Sequence, residues 1–347
     1  MAKLYNLARM TTATTGTGTI TLGSAVAGFL SFAGAGILDG ETITYAIKDG
    51  SNSEIGRGVF TSSGTTLTRN VLRSTNSNNP IYLSGSAQIF ISAAAEDTYV
   101  RHGECRLTKS GSNLLLSPLD GNRILINGNV QEIPSAGVSL AATGLTPGTN
   151  YYIYAFMNSG TMTLEASTTA RATDSSTATG NLGIEIKSGD ATRTLVGLAR
   201  VVTGPAWADS TTQRFVISWF NRREMHGVNA ITSNFSTTST TFVEAMASNR
   251  VEFLSWGGVV TKASVVTYNF NSTTAYCLTK TSFDGSNDSF PLASYGTNGY
   301  PCTVPHEAVL SEGYHYATAL VRVDSGTGTW QGNASFSQTN VHAITMG

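Results

Sequence analysis

The sequence has little charge, few cysteines and no long apolar segment, and each shortage excludes a class of protein. Only 12% of its 347 residues are charged and the formal net charge is -1. A nucleic-acid binder normally carries a clustered basic face, which this chain lacks. The most apolar stretch, residues 23–38, is shorter than a membrane-spanning helix and is rich in glycine and serine. We therefore expect no nucleic-acid partner and no membrane insertion.

The same apolar stretch does not have the form of a signal peptide. It lies behind a threonine-rich segment and not directly behind a basic one. We interpret residues 23–38 as a buried strand, and the threonine-rich residues 11–19 as a flexible or extended tract.

The cysteines are too few and too irregular to form a disulfide framework. There are three, Cys105, Cys277 and Cys302, and an odd number leaves at least one unpaired. A pairing of Cys277 with Cys302 stays open, because sequence does not show the geometry. Such sparse usage favours three reduced thiols.

Helical periodicity is also scarce, whereas strand signals recur along the whole chain. Short runs of Val, Ile, Thr, Tyr and Phe are bounded by Gly, Asn, Asp and Ser, the pattern of strands and turns. With 40% hydrophobic residues and almost no net charge, disorder is excluded. The sequence predicts an all-β protein of tandem β-sandwich or jelly-roll-like domains with little helix.

Individual strands and turns are predicted from local patterns. Residues 41–48 alternate apolar Ile43, Tyr45 and Ile47 with smaller or polar neighbours, and Asp49-Gly50 follows as a turn. Residues 120–122 separate the predicted strands 113–116 and 123–126, which suggests a hairpin, and Asn127-Gly128 opens a second tight turn. An aromatic strand is predicted at residues 151–157.

Turn-rich segments divide the chain into three predicted β domains. Their bounds are residues 1–98, 99–223 and 224–347. Within the last domain, residues 284–305 form a predicted turn-rich insertion between strands.

Several segments resemble virion proteins of tailed phages, in particular tail and fibre proteins. The N-terminal resemblance lies in residues 1–10 (MAKLYNLARM), 39–47 (DGETITYAI), 65–69 (TTLTR) and 84–88 (SGSAQ). In the middle of the chain it lies in residues 125–128 (LING), 144–154 (GLTPGTNYYIY) and 213–216 (QRFV). Residues from about 226 onward resemble no family that we can name.

The resemblance implies a virion component, often trimeric, whose N-terminal domain docks on the particle. It implies as partners other virion proteins of the tail, neck or capsid, and a variable C-terminal tip that recognises a host cell-surface polysaccharide. We therefore expect a fibre-type subunit located in the virion. A purely structural collar, neck or head-decoration fibre remains the alternative.

Motifs of enzymes are missing or incomplete. The sequence contains neither a Gly-x-x-x-x-Gly-Lys phosphate loop nor a Gly-x-Ser-x-Gly nucleophile turn. Paired carboxylates could cut glycans, and candidates in the last third include Glu244, Glu252, Asp284, Asp288, Glu307 and Glu312. A depolymerase, however, is usually a long repeat-built β-helix, and no repeat is visible. We expect no enzymatic activity.

Metal-ligand spacings are equally incomplete. His306-Glu307 begins like a zinc-protease motif, but Leu310 stands where the second histidine is needed. Cys277, Cys302 and the histidines at 306 and 315 have irregular spacing. Residues 284–288 (DGSND) lack the calcium-loop pattern, and a polar turn explains them better. We expect no metal and no cofactor.

Aromatic residues among polar turns are better candidates for a binding site. Tyr295, Tyr300 and Trp330 could stack on sugar rings, with Asn298, Asn287 and Asp288 as hydrogen-bond partners. The alternative is that each aromatic residue packs in a core or an interface.

Aromatic residues of the middle domain suggest contact between subunits. Tyr151, Tyr152, Tyr154 and Phe156 alternate along one strand, so one face belongs to the core and the other is free for a sister subunit. Trp207, Trp219 and Phe220 invite the same interpretation. Together with the low charge, this pattern predicts a homo-oligomer, and the family resemblance points to a trimer.

Overall fold

The computed structural model describes residues 4–97, 102–333 and 339–347. The chain divides into two compact units, Met1–Val100 and Arg101–Gly347. Helix in the described residues is limited to the single 3-10 turns Ser62–Gly64, Ala95–Asp97 and Ala247–Asn249, and strands dominate. The predicted all-β fold class is confirmed.

The N-terminal unit is a curled sheet around one apolar core. Its strands are β1 (Arg9–Thr11), β2 (Thr15–Gly16), β3 (Ile20–Thr21), β4 (Thr42–Asp49), β5 (Asn52–Thr61), β6 (Thr66–Leu67), β7 (Asn70–Ser74), β8 (Leu83–Ser84) and β9 (Gln88–Ile91). The main sheet has the order β1-β9-β4-β5-β6-β3, with β7 also paired to β5 and a small β2–β8 pair beside it.

The β4–β5 hairpin forms as the alternation predicts. Ile43, Tyr45 and Ile47 are buried in the core of the unit, and Gly50 takes a positive φ of 56° in the turn. The register pairs Asp49 with Asn52 and continues to Thr42 opposite Val59. Local sequence is therefore sufficient to specify this hairpin.

One prediction for the N-terminal unit is wrong, and another, that residues 11–19 are flexible or extended, holds in its extended form. Residues 23–38 form turns and loops rather than a strand, because their glycines bend the chain and only Phe32, Ile37 and their neighbours reach the core. The tract 11–19 is part of the folded unit. Thr12 is buried and donates to the Thr21 carbonyl oxygen at 2.6 Å, and Thr15 pairs with Ser84.

The first half of the second unit is built from hairpins packed on a long central strand. Its strands are β10 (Cys105–Ser110), β11 (Asn113–Pro118), β12 (Arg123–Ile126), β13 (Asn129–Glu132), β14 (Val138–Leu140), β15 (Asn150–Asn158), β16 (Thr161–Ser167), β17 (Arg171–Thr173), β18 (Glu185–Lys187), β19 (Asp190–Val202), β20 (Ala206–Trp207), β21 (Gln213–Arg214) and β22 (Val216–Ser218). The main sheet has the order β16-β15-β19-β18-β17, with β20 and β22 paired to β19.

The predicted hairpins of this region are confirmed in part. Asn127 and Gly128, with φ of 50° and 72°, close the β12–β13 hairpin as the Asn-Gly pair predicts. Strands β11 and β12 do not pair with each other, so the predicted 113–126 hairpin is wrong. Instead β11 pairs with β10 and β14, because the Gly111 turn brings β10 and β11 together.

The second half of this unit is a two-sheet sandwich. Its strands are β23 (Glu224–Ala230), β24 (Phe235–Thr237), β25 (Val243–Glu244), β26 (Val251–Ser255), β27 (Val260–Asn271), β28 (Tyr276–Phe283), β29 (Asn287–Asp288), β30 (Leu292–Tyr295), β31 (Tyr300–Val309), β32 (Gly313–Val323), β33 (Gly328–Trp330) and β34 (Asn340–Met346). One sheet has the order β21-β26-β32-β28-β29 with β25 and β30 attached. The other has the order β23-β34-β27-β33-β24 with β31 attached.

The region predicted to be a turn-rich insertion, residues 284–305, contains much of β31. Pro301 and Pro305 lie opposite Tyr268 and Ser264 on β27. A proline has no N–H, so both fit a strand only where the N–H would point to a free edge. This edge strand was missed by sequence reasoning because prolines normally argue against a strand.

The two halves of the second unit share a hydrophobic cluster. Tyr154, Leu198 and Ile217 of the first half pack with Leu254 and Trp256 of the second. Both faces of β15 are thus covered within one chain, since Tyr151 and Ile153 lie in the other core. The second face was predicted to be free for a sister subunit, and that prediction is wrong.

The tryptophans and Phe220 are also accommodated within the chain. Trp207 is buried and donates to the Leu140 carbonyl oxygen at 2.9 Å, and Trp219 packs edge-on against Trp256 with ring centroids 5.0 Å apart. Phe220 packs against the core of the first half. The division at residue 223 stays a prediction, and packing across it is continuous.

Candidate functional site

Three connections meet at one end of the C-terminal sandwich. They are residues 272–275 between β27 and β28, residues 296–299 between β30 and β31, and residues 324–327 between β32 and β33. Asn271 N donates to the Gly296 carbonyl oxygen at 3.0 Å, and Ser272 N donates to the Thr327 carbonyl oxygen at 2.8 Å. These backbone bonds hold the three connections side by side.

Three exposed tyrosines lie beside these connections, and we call this region the tyrosine end. Tyr276 begins β28, Tyr295 ends β30, and Tyr300 begins β31. Tyr276 and Tyr295 are direct cross-strand partners whose ring centroids are 4.7 Å apart at 51°. The three side chains are 45%, 50% and 45% exposed. Aromatic surface is therefore presented to solvent by rigid strand ends.

Buried asparagine side chains hold the three connections in place from the interior of the sandwich. The Asn271 side chain donates to the Ser325 carbonyl oxygen at 2.9 Å and accepts from Thr273 N at 3.0 Å. Asn269, also buried, accepts a hydrogen bond from Ser294 Oγ. Because satisfied buried polar groups rigidify their surroundings, the backbone that carries the three tyrosines is held in place.

Three of the predicted sugar contacts lie at the tyrosine end. Tyr295 and Tyr300 flank the turn that carries exposed Asn298. Tyr276 was missed by sequence reasoning. It carries the same signal as the others, an aromatic residue directly after a polar turn (NSTTA, residues 271–275).

The other predicted contacts lie elsewhere. Trp330 is fully buried and donates to Thr279 Oγ1 at 2.8 Å, so its assignment to a sugar site is wrong, because the ring fills the core of the sandwich. Asp288 accepts from Ser282 Oγ at 2.6 Å and from Lys280 Nζ at 3.3 Å. Ser282 is six residues from Tyr276 along β28, about 20 Å at strand spacing, so Asp288 does not belong to this end.

The acidic residues singled out from the sequence of the sandwich all have a polar or charged partner among the described residues. Glu244 bonds Arg250 and Thr318, while Glu252 bonds Tyr314 and Gln213. Four others also have a basic partner: Asp284 pairs with His315, Asp288 with Lys280, Glu307 with Lys262 and Glu312 with Arg171. Each carboxylate is thus engaged in holding strands or turns together.

A serine, a histidine and an aspartate meet at the opposite edge, and sequence reasoning missed them. His315 Nδ1 is 2.6 Å from Asp284 Oδ2, and Nε2 is 3.3 Å from Ser311 Oγ. Nε2 is closer, at 2.9 Å, to the Ser311 carbonyl oxygen. The Ser311 carbonyl oxygen can only accept, so Nε2 donates to it and is engaged by this bond rather than by the Ser311 hydroxyl group. The arrangement ties two loops together.

The turn at Asp284 is the polar turn predicted for residues 284–288. Asp284 and Gly285 have positive φ of 55° and 70°, and Tyr316 N donates to Asp284 Oδ1 at 3.0 Å. Within the described residues, no group of three or more His, Cys, Asp or Glu side chains is placed to hold a metal ion. The three cysteines are free thiols, so the possible Cys277–Cys302 disulfide is not formed.

Helices long and apolar enough to cross a membrane are absent from the described part of the chain. Comparison with models of protein families finds no family that matches, and comparison with curated proteins finds no match.

Solved structures give only weak similarities. The chain is similar to the Eiger TNF of S. frugiperda at 10% identity and a TM-score of 0.27, covering 36% of this chain and 93% of that one. The delta-endotoxin Cry8Ea1 of Bacillus thuringiensis gives 8% identity and a TM-score of 0.25, covering 88% of this chain and 52% of that one. The VP2 subviral particle of infectious bursal disease virus gives 11% identity and a TM-score of 0.25, covering 99% and 72%. Scores of this size carry no argument about function.

Proposed function

We propose that this protein is a non-enzymatic fibre-type subunit of a tailed-phage virion, whose N-terminal unit docks on the particle and whose C-terminal sandwich binds a host surface glycan. The observation that carries the binding role is the tyrosine end, with Tyr276, Tyr295 and Tyr300 exposed beside polar connections. The virion role is supported by the sequence resemblance of residues 1–10, 39–47, 65–69 and 84–88.

The tyrosine end has the chemistry that sugar recognition needs. The faces of sugar rings are apolar and stack on aromatic rings, while their hydroxyl groups need hydrogen-bond partners. A tyrosine offers an apolar face together with a polar hydroxyl group. Thr297 and Asn298 are exposed on the turn between Tyr295 and Tyr300, where they provide additional polar groups. Rigid attachment lowers the entropy lost when a ligand binds.

The test uses the full chain rather than residues 224–347 alone. Separating the two halves would uncover Leu254, Trp256 and Met225, which are buried against the first half. A fragment with these side chains exposed would stick non-specifically to cells.

The fluorescently labelled chain is titrated against purified capsular and lipopolysaccharide glycans and against intact bacteria. We expect saturable binding to one glycan type, and at least a tenfold loss in the variants Tyr276→Ser, Tyr295→Ser and Tyr300→Ser. Tyr82→Ser is the matched control, because Tyr82 is 73% exposed but lies in the N-terminal unit. Equal binding by the tyrosine-end variants and the control would contradict the glycan role.

The virion role and the oligomeric state need separate measurements. We expect a solution mass three times the 36.5 kDa of one chain, measured by light scattering, and detection of the chain in purified virions by mass spectrometry. A monomer, or absence from particles, would contradict the fibre assignment while leaving glycan binding measurable.

The purely structural alternative is favoured by a different patch. Phe290 is 93% exposed, and Leu292 on the adjacent edge strand is also exposed. Exposed apolar groups of this kind suit contact with another virion protein. If Phe290→Ser prevents incorporation into particles, and no glycan binds, the chain is a collar, neck or head-decoration fibre.

A further inference from the structure

A small cavity in the second unit lies apart from the tyrosine end. Its volume is about 80 Å³, and it is lined by Arg106, Lys109, Asp209 and Arg223 over an apolar floor that includes Met225. One water needs roughly 10–15 Å³ of such space, so the cavity admits a group larger than a single water.

One oxygen of the acidic group of this cavity lacks a close hydrogen-bond donor. Asp209 Oδ1 is buried and receives no hydrogen bond from the described residues. Arg214 Nη1 is 3.5 Å away, an ion-pair distance too long for a good hydrogen bond, and the Arg214 Nε and Nη2 groups donate to the His226 carbonyl oxygen. A buried acceptor without a donor is unfavourable unless a ligand or water supplies one.

The basic groups of the cavity outnumber this carboxylate. Arg106 uses Nε for the Asn221 carbonyl oxygen at 2.9 Å, and Lys109 Nζ donates to the Gly111 carbonyl oxygen at 2.8 Å. The part of the chain that the structure describes provides no ion pair or side-chain hydrogen bond for the exposed Arg223 guanidinium. Three cationic side chains therefore line the cavity together with one carboxylate that is 19% exposed, an arrangement that favours an anion.

We propose that this cavity binds an oxyanion that carries its own hydroxyl group, either a hydrogen phosphate group or a hydroxylated carboxylate such as a sugar acid. The negative charge lies against Arg106, Lys109 and Arg223, and the ligand's O–H donates to the Asp209 carboxylate. Sulfate has the same size and charge as phosphate but no proton to donate at neutral pH. It would place an oxygen against the Asp209 carboxylate and be repelled.

The pKa of the Asp209 carboxyl group makes the discrimination between phosphate and sulfate depend on pH. Burial raises its pKa, against the opposing effect of Arg214, Arg223 and Lys109. A carboxyl group in this environment becomes protonated at a higher pH than usual, and in that form it donates rather than accepts. Discrimination between phosphate and sulfate should therefore weaken as the pH falls.

The test measures binding of inorganic phosphate, sulfate, galacturonate and galactose to the full chain by calorimetry at pH 7 and constant ionic strength. We expect phosphate to bind at least tenfold more tightly than sulfate, and galactose not to bind. Galacturonate binding more tightly than phosphate assigns the site to sugar acids, and the reverse order assigns it to phosphate groups. Equal affinities for phosphate and sulfate, or no saturation by either anion class, would overturn the proposal.

Two variants separate the roles of the charges. Asp209→Asn should abolish the preference for phosphate by admitting sulfate, whereas Arg223→Met should weaken both anions alike. Lys262→Met is the control, since Lys262 is an exposed cation on β27 outside the cavity. Arg223 is exposed, so its variant keeps the test decisive if Asp209→Asn folds poorly. Unchanged selectivity in a folded Asp209→Asn protein would contradict the assigned hydrogen bond. The inference does not depend on the proposed function, because it uses no residue of the tyrosine end.

Discussion

Arg69 and Glu54 form an ion pair inside the N-terminal unit, with side chains only 2% and 0% exposed. Glu54 also accepts from Tyr45 Oη at 2.8 Å and from Ile81 N at 2.9 Å, and Arg69 donates to the Ile81 carbonyl oxygen at 2.9 Å. The pair thus links β4, β5 and the segment before β8. Tyr45 and Arg69 are distant in the sequence, and the fold brings them to one carboxylate.

Removing the positive partner of this pair should strongly destabilise the N-terminal unit. In Arg69→Met, Glu54 stays buried without its counter-charge, and we expect a loss of about 3–5 kcal/mol in the free energy of unfolding. Denaturant titration of the full chain measures it. Lys262→Met is the control, because the Lys262–Glu307 pair is 56% and 60% exposed, and such pairs contribute at most ~1 kcal/mol. A loss from Arg69→Met no larger than that of the control would contradict a stabilising buried pair.

Two glycines with positive φ should differ in their tolerance of alanine. Gly111 (φ 57°) has open space around it, so Gly111→Ala should cost only the ~1–2 kcal/mol of a left-handed residue. A Cβ at Gly128 (φ 72°) would lie 2.4 Å from the Thr179 carbonyl oxygen, a backbone atom that cannot rotate away. Gly128→Ala should therefore lose more stability in the same denaturant titration. Equal losses of stability would show that the backbone at Thr179 moves away from a Cβ at position 128 without a further cost in free energy.

His315 should stabilise the sandwich at low pH and less at high pH. Hydrogen bonds to Asp284 and Ser311 raise its pKa, against the opposing effect of burial. Its contribution is fully present below the unfolded pKa of about 6.5 and is lost as the pH rises through the folded pKa. The difference in unfolding free energy between the native chain and His315→Gln should shrink from pH 6 to pH 9. A difference that grows with pH would contradict a stabilising role of the His315 contacts with Asp284 and Ser311.

His102 should have the opposite pH dependence. Burial lowers its pKa to about 4, and its Nδ1 accepts a hydrogen bond from Leu125 N at 2.9 Å. The unfolded chain binds a proton near pH 6.5 that the folded chain binds only near pH 4, so this residue lowers stability as the pH falls between these values. His102→Asn keeps an acceptor without the titration, and its stability should fall less between pH 6.5 and pH 4.5. Parallel pH curves for the two proteins would show that His102 does not titrate differently on folding.

The predictions of the hairpin at 41–48 and of the turn at 127–128 were confirmed, whereas the strand at 23–38 and the hairpin at 113–126 were wrong. The alternation at 41–48 and the Asn127-Gly128 turn act within a few residues, so the sequence predicts them well. The strand predicted at 23–38 failed because apolar content alone does not distinguish a buried loop from a strand. The missed strand β31 carries prolines at its free edge, and whether an edge is free depends on which strands pair.

The sequence by itself determined the all-β class, the hairpin turns and the presence of tyrosines beside polar turns. Only the tertiary structure decided which aromatic residues are exposed, because Trp330 and Tyr295 have similar local surroundings and differ in the strands that cover them. It also decided that Tyr154 lies in one hydrophobic cluster with Trp256 of its own chain, and that Asp209 meets Lys109 and Arg223 in one cavity. Strand pairing and sandwich packing join residues tens of positions apart, and no local pattern of residues specifies those pairings.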